Sequence, residues 1–136
     1  MTMKLSSKTI TAIKMFIDLG EHYDEGYISL VDIANRKELS KKFLEQIVPL
    51  YKVNGLLLGT RGNQGGYRLA KSPNEITLKD IIYISENGLS KEVVGYAPID
   101  DFLSQIDKHL DIYLEKKTLS NLIDAAKESY SNNYCI

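Results

Sequence analysis

The 136-residue sequence predicts a mainly α fold with a small β-hairpin: a winged helix-turn-helix followed by a long C-terminal dimerisation helix. Three observations predict it. SLVDIANR and SKKFLEQIV carry apolar residues at helical spacing and stand only three residues apart. Soon after them the glycine-rich RGNQGG joins two short apolar runs. Further on, Ile99, Leu103, Ile106, Leu110 and Tyr113 fall at spacings of 4, 3, 4 and 3, a heptad seam suited to pairing two helices. The expected division is 1–88 for the winged helix-turn-helix and 89–136 for a linker and helical dimerisation region.

Composition sets the frame. Apolar residues make up 43% and charged residues 26%, ordinary for a globular chain with a real core. No apolar run approaches the roughly 20 residues of a membrane span, and MTMKLSSKTITAIK lacks a signal-peptide pattern. The single cysteine, Cys135, excludes an internal disulfide, so a cytoplasmic setting is expected. The net charge of -1 hides an asymmetry: residues 1–71 carry 11 Lys/Arg against 7 Asp/Glu, and residues 72–136 carry 6 against 11. A basic first half implies an anionic partner for that half, although ordinary variation between solvated faces gives the same count.

Ile10, Ile13, Phe16, Ile17 and Leu19 define a first helix over about Ser7 to Leu19, ending near Gly20. YDEGY reads as a loop. Ser29 N-caps a short helix through Arg36, with Asp32 as a weaker capping-box partner. Ser40 N-caps the next, whose apolar side holds Phe43, Leu44, Ile47 and Val48. Ala34 suits a close crossing of this pair, which fits a helix-turn-helix or a plain helical hairpin in a core.

Asn54-Gly55 ends the second helix, and GLLLGT and GYRLA read as strands joined by RGNQGG. The spacing Gly62-x-x-Gly65-Gly66 matches neither GxGxxG nor GxxxxGK[ST], and no helix follows, so a phosphate cradle is excluded. As a wing tip, the loop uses glycine for the backbone dihedrals of tight turns. Its glycines also let the backbone approach a duplex closely, and Arg61 is placed to enter a minor groove. Thr77 to Asp80 opens a helix through about Asn87, Gly88 to Pro98 reads as irregular, and Thr118 starts a last short helix with Leu119, Leu122 and Ile123. The heptad seam between them either packs back on its own chain or pairs two copies; a small acidic tail has little of its own to cover, which favours a homodimer.

The ordered set MKLSSK, SLVDIA, LSKKFLEQI, NGLL, RGNQGGYRLA and EITLKDII resembles the Rrf-two (IscR/CymR-like) family of bacterial winged-helix regulators, over about Met3 to Gly88 and more loosely beyond. The resemblance implies a homodimer that binds double-stranded operator DNA and regulates genes, with a metabolic enzyme as a further partner in the cysteine-regulator relatives. Many members hold an iron–sulfur cluster through three cysteines after the helix that follows the wing. Here Asn87 to Asp100 contains no cysteine, which implies the cluster-free branch and no cofactor. Cys135 is read as an inert tail thiol rather than a redox one, and His22 and His109 stand too far apart in sequence to suggest a metal.

The DNA-binding set follows. Ser40, Lys41 and Lys42 begin the recognition helix, where N–H groups and cations face phosphate. Phe43, Glu45 and Gln46 correspond to base-facing positions of the family. Glutamate accepts from cytosine N4 and glutamine pairs with adenine, and only one of the two points squarely at bases. Arg61, Gly62, Asn63, Gln64, Gly65 and Gly66 form the wing tip; Lys4, Ser7, Lys8 and Ser29 position the backbone. Four departures from the family stand out. Pro49 lies inside the recognition helix, predicting a bend or early unwinding. Leu50 stands where arginine is usual, and Ile10-Thr11 replace Arg-Tyr. Glu38 takes the place of a turn glycine. An enzyme is excluded by the absence of any nucleophile–base set or cofactor fingerprint. The rival is a protein-interaction module acting through a partner enzyme.

Overall fold

The structure, a computed structural model, describes residues 4–61, 65–86 and 93–134. Its elements are α1 (Ser7–Glu21), a 3-10 turn (Tyr23–Glu25), α2 (Leu30–Lys37), α3 (Lys41–Val53), β1 (Leu57–Thr60), β2 (Gly66–Leu69), α4 (Leu78–Glu86), α5 (Ala97–Lys116) and α6 (Leu119–Tyr134). The fold is the predicted one, mostly helical with one antiparallel hairpin. The helices begin where side chains can satisfy their first N–H groups. Ser6, Ser29 and Ser40 accept from the amides of Thr9, Asp32 and Phe43 at 3.2, 3.1 and 3.2 Å. Thr77 and Asp80 close a reciprocal capping box on α4. Thr118 and Asn121 do the same for α6.

One core joins these elements. Ala12, Met15, Phe16 and Leu19 of α1 meet Leu44, Ile47 and Tyr51 of α3, with Ile76 and Ile81 closing the far side. Tyr51 stands edge-on to Phe16 at 4.8 Å and donates its hydroxyl to the carbonyl of Ile81 at 2.7 Å. Burial pushes its phenol up to about 12.

Several expectations are corrected. α1 ends at Glu21, next to Gly20 as expected, but the glycine is there for a contact rather than as the stop. A Cβ there would lie 2.4 Å from Cδ1 of Ile123, so the missing side chain makes room for α6. The last helix is 16 residues long, not short; among its described side chains the buried apolar ones, Leu119 and Ile123, lie in its first turns. Leu119 and Ile123 of α6 belong to the same core as α1, and the amide of Leu119 donates to Ile76 O at 2.8 Å. The core therefore runs across the division expected at residue 88.

α3 is not unwound at Pro49 and stays helical to Val53. Pro49 and Glu45, whose carbonyl loses its donor, both lie on the solvent side, where water can bond the carbonyl. The helix end is closed by a full Schellman motif: Gly55 (φ 78°) donates to Lys52 O, and Leu56 to Tyr51 O.

Candidate nucleic-acid interface

α2 and α3 form the helix-turn-helix, set against α1 by ion pairs. Asp18, fully buried, receives the Arg36 guanidinium in a fork, Nε and Nη2 each at 2.8 Å from a carboxylate oxygen. The hydrogen bond to Asp18 holds the Arg36 guanidinium above its ordinary value. Lys37 reaches Glu21 at 2.7 Å. Between the helices Glu38 adopts the left-handed conformation, φ 55° and ψ 51°, and donates its amide to Ala34 O. That is the geometry a turn glycine would take without strain. Ala34 is buried at the crossing, as predicted.

The outward face of α3 starts at the exposed cap Ser40 and carries Lys41, Lys42, Glu45 and Gln46, all exposed. Lys41 and Glu45 are paired across one turn at 3.6 Å, which tempers both charges. Phe43 is half-buried and packs against the core, so part of its role is structural. Ser29 caps α2 and is half-buried.

The hairpin pairs Leu57 with Leu69, Leu58 with Arg68, Gly59 with Tyr67 and Thr60 with Gly66. Arg61 follows it, exposed and without a carboxylate partner among the described residues. Gly62, Asn63 and Gln64 lie outside the described residues. Gly65 is half-buried. Gly66, shared in the sequence between the wing tip RGNQGG and the strand GYRLA, is a buried strand residue with no positive φ. A Cβ on it would stand 2.3 Å from the carbonyl oxygen of Ile28, so only glycine allows this approach. There Ile28 bridges Tyr67 through two backbone bonds of 2.9 and 2.8 Å, adding a one-residue third strand that the sequence did not signal. Arg68 lies between the rings of Tyr23 and Tyr27, 5.9 and 5.6 Å from their centroids, pinning the hairpin to the α1–α2 loop.

At the N-terminus of α1, Lys4 and Ser7 are exposed and Lys8 is half-buried. Glu86, the last residue of α4, bonds Ser6 and Thr9 here. These bonds, Thr9 first and then Ser6, hold its carboxyl below the usual carboxylate range.

On α5 the seam is split. Ile99 and Tyr113 are exposed, Leu103, Ile106 and Leu110 are half-buried, and Leu114 is buried. At roughly 100° per residue, Leu103, Leu110 and Leu114 share one edge of α5, a helix that contacts α4. Ile99, Ile106 and Tyr113 lie along the other edge together with Phe102, which is 60% exposed and which the heptad count passed over. Among the described residues no helix is long and apolar enough to cross a membrane, and no group of His, Cys, Asp and Glu stands ready for a metal.

Comparison with known proteins agrees with this geometry. Residues 5–125 match the family model Rrf2, described as an iron-dependent transcriptional regulator. The chain is 39% identical over 135 aligned positions to the transcriptional regulator CymR of Bacillus subtilis, covering 82% of this chain and 98% of that one. It is 40% identical over 80 residues to the regulator IscR of Pectobacterium carotovorum, where the match spans about half of the relative's length. Among solved structures, CymR of B. subtilis superposes with a TM-score of 0.81 at 31% identity, covering 91% of this chain and 98% of that one. An IscR from T. potens gives 0.79 at 31%, covering 93% and 90%. All are named transcriptional regulators or their structures, a class without enzymatic chemistry.

Proposed function

The chain belongs to the Rrf2 family of transcriptional regulators, and from that premise we propose a homodimeric repressor that recognises operator DNA by sequence and works without an iron–sulfur cluster. The observation that carries this reading is the juxtaposition of two outward elements. One is the exposed polar face of α3 beginning at Ser40; the other is the hairpin leading to Arg61, which has no carboxylate partner among the described residues.

In this reading Ser40, Lys41 and Lys42 meet phosphate with the first N–H groups of α3. Glu45 or Gln46 reads a base edge in the major groove, and Arg61 with its neighbouring glycines enters the minor groove. Lys4, Ser7, Lys8 and Ser29 set the register on the backbone. The outer edge of α5 supports the homodimer, because its apolar stripe is wider than its own α4 can cover. Two copies then present two α3 helices to half-sites about one helical turn apart. A dimer so seated blocks access to a promoter.

The cluster-free part rests on donor chemistry. A thiolate set needs several cysteines, and the chain has one, Cys135. The deciding experiment selects bound genomic fragments and then measures affinity for the recovered operator at two salt concentrations. Engagement of six or more phosphates predicts a loss of about 10³-fold between roughly 50 and 200 mM salt. An affinity indifferent to salt would refute operator binding and favour docking to a partner enzyme through apolar surface.

A further inference from the structure

We propose that Glu86 is a positioning residue for DNA binding, acting by holding the N-terminal turn of α1 in place; this rests on the reading that Lys4, Ser7 and Lys8 face the phosphate backbone. The buried anchors of α1 from Ala12 to Leu19 begin more than a turn beyond its start. In its first turn only Thr9 is buried, so a polar cluster has to set where that end points.

One carboxylate oxygen of Glu86 accepts from three donors: the Ser6 amide at 3.0 Å, the Ser6 hydroxyl at 2.8 Å and the Thr9 hydroxyl at 2.5 Å. Ser85 bonds the same Thr9 hydroxyl from the next position of α4. Ser6 is the N-cap of α1, and it also accepts from the Thr9 amide. The contact spans 80 positions of sequence and fastens the cap by backbone and side chain together. Ser7 and Lys8 lie between the two clamped residues, and Lys4 lies two before them, so their direction follows the clamp. The Ser6 amide and both groups of the clamp at Ser6 reach solvent, so water replaces these bonds when Glu86 is removed and the fold survives.

The test compares operator affinity of the full chain with Glu86→Ala and Glu86→Gln. Alanine removes the acceptor; glutamine keeps an oxygen that all three donors can reach, without the charge. We expect alanine to weaken binding about fivefold and flatten the salt dependence by roughly one phosphate contact, and glutamine to restore parental affinity within about twofold. Alanine binding like the parent would overturn the proposal. So would tighter binding by both variants, since the carboxylate would then only repel phosphate. If Glu86→Ala does not fold, Ser6→Ala carries the same test, and its unchanged affinity is equally fatal. Lys8→Ala separates the two levels. If it leaves affinity and salt slope unchanged, α1 does not face phosphate and both readings fall; if it weakens binding while Glu86→Ala does not, only the clamp falls.

Discussion

Glu38 is the one non-glycine residue with positive φ among the described residues, and it sits in the turn between α2 and α3, the proposed recognition helix. Replacing it by glycine changes three terms. The left-handed backbone costs an L-residue about 1–2 kcal/mol, which glycine avoids. Glycine gives back about 0.5–1 kcal/mol through its greater freedom when unfolded. Removing a carboxylate from the C-terminal end of α2 relieves an unfavourable helix-dipole contact of about 0.3–0.5 kcal/mol. The net is a stabilisation of about 1 kcal/mol, or a rise in Tm of roughly 3–5 °C for a chain of this size. Glu38→Ala removes the charge but keeps the strain, so it should gain only the dipole part. Binding should respond differently. A carboxylate about 10 Å from a phosphate costs about 0.4 kcal/mol in water and roughly a third of that at 0.1 M salt. Over a few phosphates both variants should bind operator about twofold more tightly, and more so at low salt. Denaturation melts and fluorescence anisotropy of labelled operator measure the two effects. A glycine variant no more stable than the alanine variant would refute the strain argument. Affinity unchanged in both would remove the turn from the neighbourhood of DNA.

Three further outcomes follow from the same geometry. Arg61→Ala should weaken operator binding about tenfold and lower the salt slope by about one, with Tm unchanged in melts; parental affinity would take the wing out of the interface. Phe102→Asp should yield folded monomers by sedimentation, whereas Leu103→Asp, at a half-buried position on the edge shared with buried Leu114, should destabilise the fold first; a Phe102→Asp dimer of normal mass would refute the outer-edge seam. The lowered Glu86 carboxyl gives a stability increment that is complete above the unfolded value of about 4.3 and is lost as pH falls through the folded one. The gap in urea midpoint between parent and Glu86→Gln should therefore be constant from pH 8 to about 5.5 and close in acid; a gap that widens in acid would contradict the assignment.

What the sequence made legible is what neighbours in sequence decide. Ser29, Ser40 and Thr77 start helices because their hydroxyls reach an amide three residues on, a relation visible in the string of letters. The two strands show as short apolar runs flanking the glycines, whereas the register that turns Leu57 and Leu69 inward and Leu58 outward does not show in the unbroken Leu56-Leu57-Leu58 run. Gly66 was legible as a glycine but not as to its reason, because the atom that demands it, the Ile28 carbonyl, belongs to a distant segment with no strand pattern. Gly20 marks the end of α1 as read, but its reason is equally non-local: the partner Ile123 lies in the last helix. Phe102 was missed because a heptad template admits two positions in seven, while an α-helical face is wider and includes it. Pro49 was overestimated because the lost bond falls on the solvent side of α3.

The non-local contacts also connect the two proposed functions of the chain. α4 touches the recognition helix on one side, where Tyr51 donates to Ile81 O, and the long helix on the other, where Lys79 stands 3.7 Å from Glu115 of α5. At the end of α5, Leu78 donates its amide to Lys117 O at 2.9 Å, and Thr77 bridges Thr118. A dimer formed through α5 thus sets the place of α3 through a single intervening helix with bonds on both faces. In the proposed dimer, half-site spacing would be a property of the α3–α4–α5 stack, which is joined by packed side chains and hydrogen bonds. Glu86 ends that same α4 and grips the start of α1. A displacement of α4 would therefore move both the reading helix and the backbone-facing turn together, and affinity and spacing would change as one.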